Sequence, residues 1–264
     1  MEAPIHPCQH PFAMLPRLSY TRRMIVLFTD FGLEGPYIGQ MKAVLAREAP
    51  GELVIDLFAN APTFDAQSAA YLLAAYTAEF PVGTVFLCVV DPGVGSERRA
   101  SAVKADGRWF VGPDNGLFNV VAMRAHAIEW WDIDWRPEVL SASFHGRDLF
   151  APVTARLSRG ELPPGQRMEP KLRTQRGWPE DLARVVYIDR YGNAMTGLRA
   201  NRLLVDNRLE INGHRLKRER TFSAVPPGHA FWYENANGLA EIAVNQGRAD
   251  LLLGVDVGAV VNII

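Results

Sequence analysis

The stretch 24-MIVLFTDFGLEGPYIGQMKAVLAREAPGELVIDLF-58 predicts a strand, a helix and a second strand in succession. Its first part, 24-MIVLFTD-30, is a short continuous apolar run that ends in polar residues, as a buried strand does. Residues 36-PYIGQMKAVLAREAP-50 predict a helix, because one proline stands at the first turn and another follows the end. The apolar run 53-LVIDLF-58 predicts the second strand. This spacing favours a right-handed crossover between parallel strands.

The alternation of strands and helices continues through the first half of the chain. A helix is predicted at 65-DAQSAAYLLAAYTAEF-80, with its first aspartate as N-cap, and a third strand at 84-TVFLCVV-90. The segment 100-ASAVKADGRWFVG-112 predicts a hairpin whose turn is Asp-Gly. A further helix is expected over 147-RDLFAPVTARLSRG-160. Residues 24–160 are therefore expected to form an α/β domain of three layers, α/β/α, with a mainly parallel sheet.

The composition changes after this domain. The segment 161-ELPPGQRMEPKLRTQRGWPED-181 is rich in proline, glycine and charge, which predicts a linker. Beyond it, short β-type runs follow one another with turn signals at regular spacing and no long helix. These runs are 184-RVVYID-189, 207-NRLEING-213, 229-HAFWYE-234, 239-LAEIAV-244 and 256-DVGAVVNII-264. Residues 182–264 are therefore expected to form a small all-β barrel or sandwich, a second domain.

Length, charge and cysteine content exclude several classes of protein. The 264 residues carry a formal net charge of -1, which gives no electrostatic reason to expect nucleic acid or anionic lipid as a partner. No apolar stretch approaches the roughly 20 residues that a membrane-crossing helix needs. Two cysteines, Cys8 and Cys88, are too few for a disulfide framework, and a reducing cytoplasm is the expected location.

The first 23 residues differ from the rest of the chain. Residues 1–23 contain four prolines and no continuous apolar core, which predicts a disordered or loosely packed extension rather than a signal peptide. His6, Cys8 and His10 offer metal ligands in principle. The extension is the favoured interpretation, because prolines on both sides interrupt the geometry that a metal site needs.

Polar residues follow the apolar runs where a ligand site is expected. In an open parallel sheet, ligands bind beyond the carboxyl ends of the strands, and Asp30 and Asp91 both stand at such ends. Each aspartate also suits a turn or an N-cap. Arg98 by itself is compatible with a solvated surface charge, and His145 with a packed imidazole as well as a functional one. Counting residue types therefore gives only a weak signal for a site.

Six segments together resemble the motif set of the S-adenosyl-L-methionine hydroxide adenosyltransferases, hydrolases related to the fluorinase and the chlorinase. They are 29-TDFG-32, 89-VVDPGVGSER-98, 113-PDNG-116, 144-FHGRDLFAP-152, 189-DRYGN-193 and 241-EIAVN-245. The resemblance runs in order from about Met24 to the end of the chain. It implies an N-terminal α/β domain, a C-terminal β-barrel and a homotrimer. Each active site of the trimer would lie between the N-terminal domain of one subunit and the C-terminal domain of its neighbour.

The resemblance also implies a reaction. The substrate would be S-adenosyl-L-methionine, hydrolysed to adenosine and L-methionine by in-line attack of an activated water or hydroxide on C5′. No metal and no cofactor would take part. Asp91, Arg98 and His145 match the water-activating triad of the family. The residues alone do not decide which of the three takes the proton.

Further positions match substrate-binding residues of the family. Asp30 would accept hydrogen bonds from both ribose hydroxyls, and Phe64 and Phe222 would sandwich the adenine. Asp189 and Asn193 would hold the amino group and carboxylate of the methionine part. Two bland interpretations stay open: Phe64 as ordinary core, and 189-DRYGN-193 as a hairpin turn.

The chain departs from the family pattern at two places. Relatives usually carry a serine where this chain has Ala236, so Asn237 would have to help with the substrate carboxylate. Many relatives also have a Thr-His pair where this chain has 57-LFANAP-62. The first departure affects the methionine end of the site.

Three other functions compete with hydrolysis. The halogenases of the same superfamily lack the Asp-Arg-His set and place a small hydroxyl residue where this chain has Gly146, which disfavours halide use. A protein that binds S-adenosyl-L-methionine or adenosine without turnover would use the same Asp30 and aromatic rings. A metal-dependent hydrolase would draw on Asp30, Asp91, Asp114 and His145, although no closely spaced histidine or cysteine pair supports a tight metal site.

Overall fold

A computed structural model of the chain describes residues 23–175 and 177–264. The predicted extension, apart from its last residue, and the metal alternative at His6, Cys8 and His10 lie outside the described residues. Within the described ranges, no helix has the length and hydropathy that crossing a bilayer requires.

The first half of the chain forms one seven-stranded sheet with helices on both faces. The strands are β1 Met24–Thr29, β2 Leu53–Phe58, β3 Val85–Val89, β4 Ala100–Ala105, β5 Arg108–Pro113, β6 Ile128–Ile133 and β7 Gly165–Met168. The helices are α1 Tyr37–Glu48, α2 Ala66–Tyr76, α3 Asn119–Arg124 and α4 Ala151–Ser158. A π-helical turn, Gly146–Phe150, leads directly into α4.

The two faces of the sheet bury separate hydrophobic cores, as a three-layer domain requires. Along β1, Val26 and Phe28 belong to the core that contains residues of α2 and α3. Ile25 and Leu27 belong to the core that contains residues of α1 and α4. Because successive side chains of a strand point to opposite faces, an uninterrupted apolar strand fits a position between two helix layers. The predicted α/β fold class is confirmed.

The sheet is mixed rather than mainly parallel. Its order is β2-β1-β3-β5-β4-β6-β7; β2, β1, β3 and β5 are parallel, whereas β4, β6 and β7 join by antiparallel pairing. The change of direction comes from the predicted β4–β5 hairpin. Its turn residues Asp106 and Gly107 have φ angles of 45° and 80°, as a type I′ turn needs. The edge strand β7 lies within the segment 161–181 that composition predicts to be a linker.

The second half of the chain is built from antiparallel strands. They are β8 Leu182–Ile188, β9 Ala194–Arg199, β10 Leu209–Ile211, β11 His214–Leu216, β12 Ala230–Glu234, β13 Leu239–Val244 and β14 Asn262–Ile263, with a short helix α5 Ala249–Leu253. A four-stranded sheet has the order β12-β13-β9-β8, and a three-stranded sheet the order β11-β10-β14.

Backbone hydrogen bonds join these two sheets at both edges. The N–H of Val185 in β8 donates to the carbonyl of Ala259 at 2.9 Å, just before β14. The N–H of Trp232 in β12 donates to the carbonyl of Lys217 at 3.0 Å, just after β11. The predicted barrel therefore takes the form of two linked antiparallel sheets, not of one continuous sheet.

The two halves pack on each other through α2 and β8. Leu182 and Val186 of β8 belong to the same hydrophobic core as the α2 residues. The ring of Phe58 in β2 also meets that of Tyr187 edge-on, with centroids 5.1 Å apart. The loops at the carboxyl ends of β1 and β3 are left open, and it is there that the predicted catalytic residues lie.

Candidate active site

Nine of the ten predicted site residues line two separate cavities, and the tenth, Arg98, lines neither. The first, about 580 Å³, lies at the carboxyl ends of β1 and β3 in the N-terminal domain. The second, about 620 Å³, lies in the C-terminal domain between the β8–β9 turn and β13. The predicted residues lining the first are Asp30, Phe64, Asp91, His145 and Gly146. Those lining the second are Asp189, Asn193, Phe222 and Asn237.

The structure brings Asp91, Arg98 and His145 together at the first cavity. The Arg98 guanidinium binds Asp91 through two atoms: Nε donates to Oδ1 at 2.8 Å and Nη2 donates to Oδ2. The same Nη2 lies 3.1 Å from Nδ1 of His145. The two charged side chains are almost fully buried, with exposed fractions of 11% for Arg98 and 4% for Asp91. A bidentate pair of this kind fixes the guanidinium in one plane and one direction.

The contact between Arg98 and His145 determines the state of the imidazole. A guanidinium has donors and no acceptor, so Nδ1 of His145 accepts the hydrogen bond and carries no proton. The proton of the neutral ring is then on Nε2. Burial and the neighbouring positive charge of Arg98 lower the pKa of His145 below its ordinary 6.5, which favours the same neutral form.

Local chain geometry places each of the three side chains. Asp91 lies two residues after the end of β3, and the chain then turns through Gly95, where φ is +80° and an added Cβ would lie 2.5 Å from the carbonyl oxygen of Ala142. That turn brings Arg98 back beside Asp91, with its guanidinium 5.2 Å from the centroid of the Phe150 ring. His145 immediately precedes the π-helical turn, a type of irregularity that is frequent at functional sites.

Asp30 and Phe64 form the other side of the first cavity. The backbone N–H of Phe64 donates to Oδ2 of Asp30 at 3.3 Å. Burial raises the pKa of Asp30, and the charge of Asp91 adds to that rise. Phe64 has a φ of 61°, unusual for a bulky residue, and its side chain is 75% exposed. Ordinary core packing is therefore the wrong interpretation of Phe64.

In the second cavity, Asp189 and Asn193 form a turn that also faces the cavity. Oδ1 of Asp189 accepts from the N–H groups of Tyr191 at 2.8 Å and Asn193 at 2.9 Å. Its Oδ2 accepts from the Asn193 amide at 3.2 Å. Gly192, with φ of 82°, makes the turn possible. The hairpin interpretation and a binding role are compatible here.

The predicted pair of aromatic residues is divided between the two cavities. Phe64 lines the first, whereas Phe222 lines the second and packs edge-on against Phe231 and Tyr233, each at 5.3 Å between centroids. Within one chain, no cavity-lining residue is common to both. A single subunit therefore does not bring its own Phe64 and Phe222 into one cavity.

Several lining residues were not singled out from the sequence. In the first cavity they include Tyr37 and Phe144, whose rings meet edge-on at 5.3 Å. In the second they include Glu241, which is 2% exposed and accepts hydrogen bonds from Tyr233 and Asn235. One signal for Glu241 was present: it is a carboxylate in the middle of the apolar run 239-LAEIAV-244.

Two of the three carboxylates of the metal-hydrolase alternative are paired with arginines. Both oxygens of Asp91 bind Arg98, and Oδ2 of Asp114 accepts from Nε of Arg99 at 3.0 Å. In the part of the chain that the structure describes, no three histidine, cysteine, aspartate or glutamate side chains are grouped so that they could hold a metal ion.

Comparison with known proteins identifies relatives for nearly the whole chain. Residues 25–166 match the family model of the SAM hydroxide adenosyltransferase N-terminal domain, and residues 183–262 that of the C-terminal domain. An (R)-S-adenosyl-L-methionine hydrolase of Thermus thermophilus is 41% identical over 92% of this chain and 100% of the relative. One of Salinispora arenicola is 37% identical over 93% and 97%.

Solved structures and more distant relatives agree with this. A crystal structure of a conserved protein from Thermotoga maritima has a TM-score of 0.82 and 33% identity, and covers 91% of this chain and 99% of its own. Fluorinases match more weakly: that of Nocardia brasiliensis is 24% identical over 53% of this chain and 55% of the relative.

Proposed function

The chain belongs to the SAM hydroxide adenosyltransferase family, and from that premise we propose that it hydrolyses S-adenosyl-L-methionine to adenosine and L-methionine. The observation that carries the proposal is the mutual contact of Asp91, Arg98 and His145 beside the first cavity, which Asp91 and His145 line, in a chain that is 41% identical to a hydrolase of that substrate.

The reaction suits a cavity with little water. The oxygen of water forms a bond to C5′ while the bond from C5′ to sulfur breaks, and the electron pair goes to sulfur. The sulfonium becomes a neutral thioether, and one proton is released for each water consumed. As a hydroxide-like nucleophile attacks the sulfonium cation, the negative and positive charges of the two reactants cancel. Bulk water opposes this, because it solvates the separated charges more strongly than the transition state. A preorganised polar cavity replaces that solvation.

The three converging side chains have separate tasks in this proposal. Water has a pKa of about 15.7, so its conversion to hydroxide needs a strong positive environment, which the permanently charged Arg98 supplies. Asp91 holds the Arg98 guanidinium in place through the bidentate contact and is the one carboxylate of the three, the group that would receive a proton. His145, with its proton on Nε2, donates to the oxygen and orients its lone pair toward C5′.

The remaining residues bind the substrate. Asp30 accepts from the two ribose hydroxyls, and its present partner, the N–H of Phe64, leaves lone pairs for that purpose. The exposed Phe64 ring and the Phe222 ring stack on the adenine. Gly146 leaves room beside the nucleophile, and Asp189, Asn193 and Asn237 hold the amino-acid end.

We further propose a homotrimer in which the first cavity of one subunit meets the second cavity of its neighbour. The division of the binding residues between two cavities supports this, because each cavity alone lacks part of the predicted set. The cytoplasmic location stays a prediction; Cys88, a buried free thiol, is compatible with it.

The decisive experiment is a chromatographic assay of purified protein with S-adenosyl-L-methionine, with and without EDTA. We expect equal amounts of adenosine and L-methionine, one proton released per turnover, and no effect of the chelator. Product that disappears with EDTA would support a metal-dependent hydrolase instead. Bound ligand without product would support a non-catalytic binding protein, and a halogenated nucleoside in chloride or fluoride buffer would support a halogenase.

A further inference from the structure

A buried carboxylate lies in the wall of the second cavity, where burial is costly. Glu241 stands in the middle of β13, directly opposite Tyr233 in β12 and Met195 in β9, and all three line the cavity. It is 2% exposed. An ionised side chain in such a place is stable only if hydrogen bonds replace its lost water. The hydrogen-bond partners of Glu241 therefore indicate which part of the structure it stabilises.

Both oxygens of Glu241 are used by side chains of the same cavity. The hydroxyl of Tyr233 donates to Oε1 at 2.7 Å, and the amide Nδ2 of Asn235 donates to Oε2 at 2.8 Å. Burial raises the pKa of Glu241, and so does the charge of Asp189, whereas hydrogen bonds, those of Asn235 and Tyr233 foremost, lower it. The network thus offsets part of the cost of burying the charge.

Asn235 transmits this contact to the loop that follows. Its side-chain oxygen accepts from the backbone N–H groups of Asn237 at 2.9 Å and Leu239 at 3.0 Å. With the oxygen committed to the backbone, the amide nitrogen is the end that remains for Glu241. Asn235 is itself buried, whereas Ala236 and Asn237 are exposed at the cavity. Glu241 therefore fixes, through Asn235, the conformation of the loop 235–238.

The loop 235–238 has no side-chain hydroxyl, so its contact with a substrate carboxylate depends on how accurately the backbone is positioned. Ala236 offers no side-chain donor, so the loop can meet a carboxylate only through its backbone and through Asn237. We propose that Glu241 is a positioning residue that holds the loop 235–238 against the amino-acid end of the substrate. The inference rests on the proposed function. Glu241 lines the second cavity, whereas Asp91 and His145 line the first. Its loss should therefore weaken substrate binding and spare the chemical step.

The test is Glu241→Gln, which keeps the shape and removes the charge. We expect KM for S-adenosyl-L-methionine to rise about tenfold and kcat to change less than twofold. A tenfold rise is at the lower end of the loss of affinity that removal of a supporting hydrogen bond causes. Calorimetric measurement of the affinities for L-methionine and for adenosine tests the two halves of the site separately. Affinity for L-methionine should fall by the same factor as KM rises, and affinity for adenosine should stay the same.

Asp181→Asn is the matched control. Asp181 stands directly before β8, binds Arg199 of β9 through two oxygens and lines neither cavity. Its replacement should lower the melting temperature without raising KM, as a purely structural carboxylate would. Should Glu241→Gln fail to fold, Tyr233→Phe removes one of the two hydrogen bonds and should raise KM about threefold.

Two results would overturn the inference. One is a folded Glu241→Gln variant with unchanged KM and unchanged affinity for L-methionine. The other is a wild-type protein that binds no L-methionine. Failure of the proposed function is recognised separately, since it would appear as the absence of adenosine from wild-type protein in the assay, whatever the methionine binding of the variants.

Discussion

Nη2 of Arg98 lies 3.1 Å from Nδ1 of His145, and the contact exists only while the imidazole is neutral. Protonation of Nδ1 would place two donors and two positive charges against each other. The guanidinium cannot move away from His145, because two of its nitrogen atoms are bound to Asp91. The proton on His145 is therefore tied to the geometry of the whole cluster.

The first prediction is an acidic limit on activity. His145 is neutral above its pKa, and burial and Arg98 lower that pKa below 6.5. We therefore expect kcat/KM to be constant near neutral pH and to fall as pH drops through a value below 6.5, as His145 takes up a proton. Adenosine formation measured from about pH 4.5 to pH 8 provides the profile. A limb centred above pH 7 would contradict the assignment.

Asp30 also titrates in this cavity, and its raised pKa adds a loss of activity on the same acidic side. Two variants separate the contributions. Asp30→Asn should lower kcat/KM at neutral pH but keep the loss of activity that accompanies protonation of His145. His145→Gln should remove that loss and keep the one that accompanies protonation of Asp30.

The second prediction concerns the guanidinium itself. Arg98→Ala should lower kcat by about 10²–10³-fold, the usual cost of removing one group that stabilises the charge of a reacting oxygen, with KM changed less than threefold. Arg98→Lys should lower it nearly as much, because an ammonium cannot hold both oxygens of Asp91 and also donate to His145. The measurement is steady-state adenosine formation.

Arg99→Ala provides the control for the loss of a positive charge at this turn. Arg99 is 58% exposed and pairs with Asp114, away from the cavity lining. Its removal should leave kcat within a factor of two, since neither Arg99 nor Asp114 lines the cavity. Full activity in Arg98→Ala would remove the basis for the triad.

The N-terminal fold was predictable where the pattern is local. The apolar runs of β1 and β3 and the capped helix α2 carry their own signals, and Asp65 does cap α2, accepting from the N–H of Ser68 at 3.0 Å. The strand β6 escaped prediction because 128-IEWWDI-133 mixes acidic residues with tryptophans, and its pairing with β4 and β7 makes it a strand. Pairing between distant segments leaves no periodic signal in either segment.

The candidate site shows the same limit. Asp91 could be placed at a strand end from the sequence, but the bidentate contact with Arg98 depends on the turn through Gly95, and that expectation came from the family resemblance. The division of Phe64 and Phe222 between two cavities depends on how whole domains pack, which no local pattern encodes. Glu241, by contrast, was visible as a charge within an apolar strand.

The third prediction tests the space beside the nucleophile. An added Cβ at Gly146 would lie 3.0 Å from Sδ of Met41 and 3.5 Å from Val89, so a side chain there must displace its neighbours. Gly146→Ser should lower hydrolysis at least about tenfold, because overpacking of a buried position shifts the surrounding groups. It should form no halogenated nucleoside, since Asp91 and His145 still line the cavity and Arg98 still binds both.

The matched control is a glycine with room around it. Gly39 lies in α1, and an added Cβ would meet nothing within 4 Å. Gly39→Ala should therefore keep full activity and slightly raise stability, as alanine does in a helix. Equal activity of Gly146→Ser and wild type would show that this space is not needed for the reaction.

The fourth prediction decides whether the two cavities act within one subunit or across two. His145→Ala changes the first cavity and Asp189→Ala the second, and each variant alone should show little activity at substrate concentrations far below the wild-type KM. Co-expressed at equal levels, the two chains should assemble into mixed trimers. A site between subunits is intact when both its halves are wild type, which random assembly gives in about a quarter of sites. We therefore expect about a quarter of wild-type activity from the mixture. A site confined to one chain would give no recovery of activity, because every chain carries one defective half. As a control, co-expression of His145→Ala with Gly146→Ser, two changes in the same cavity, should also give no recovery.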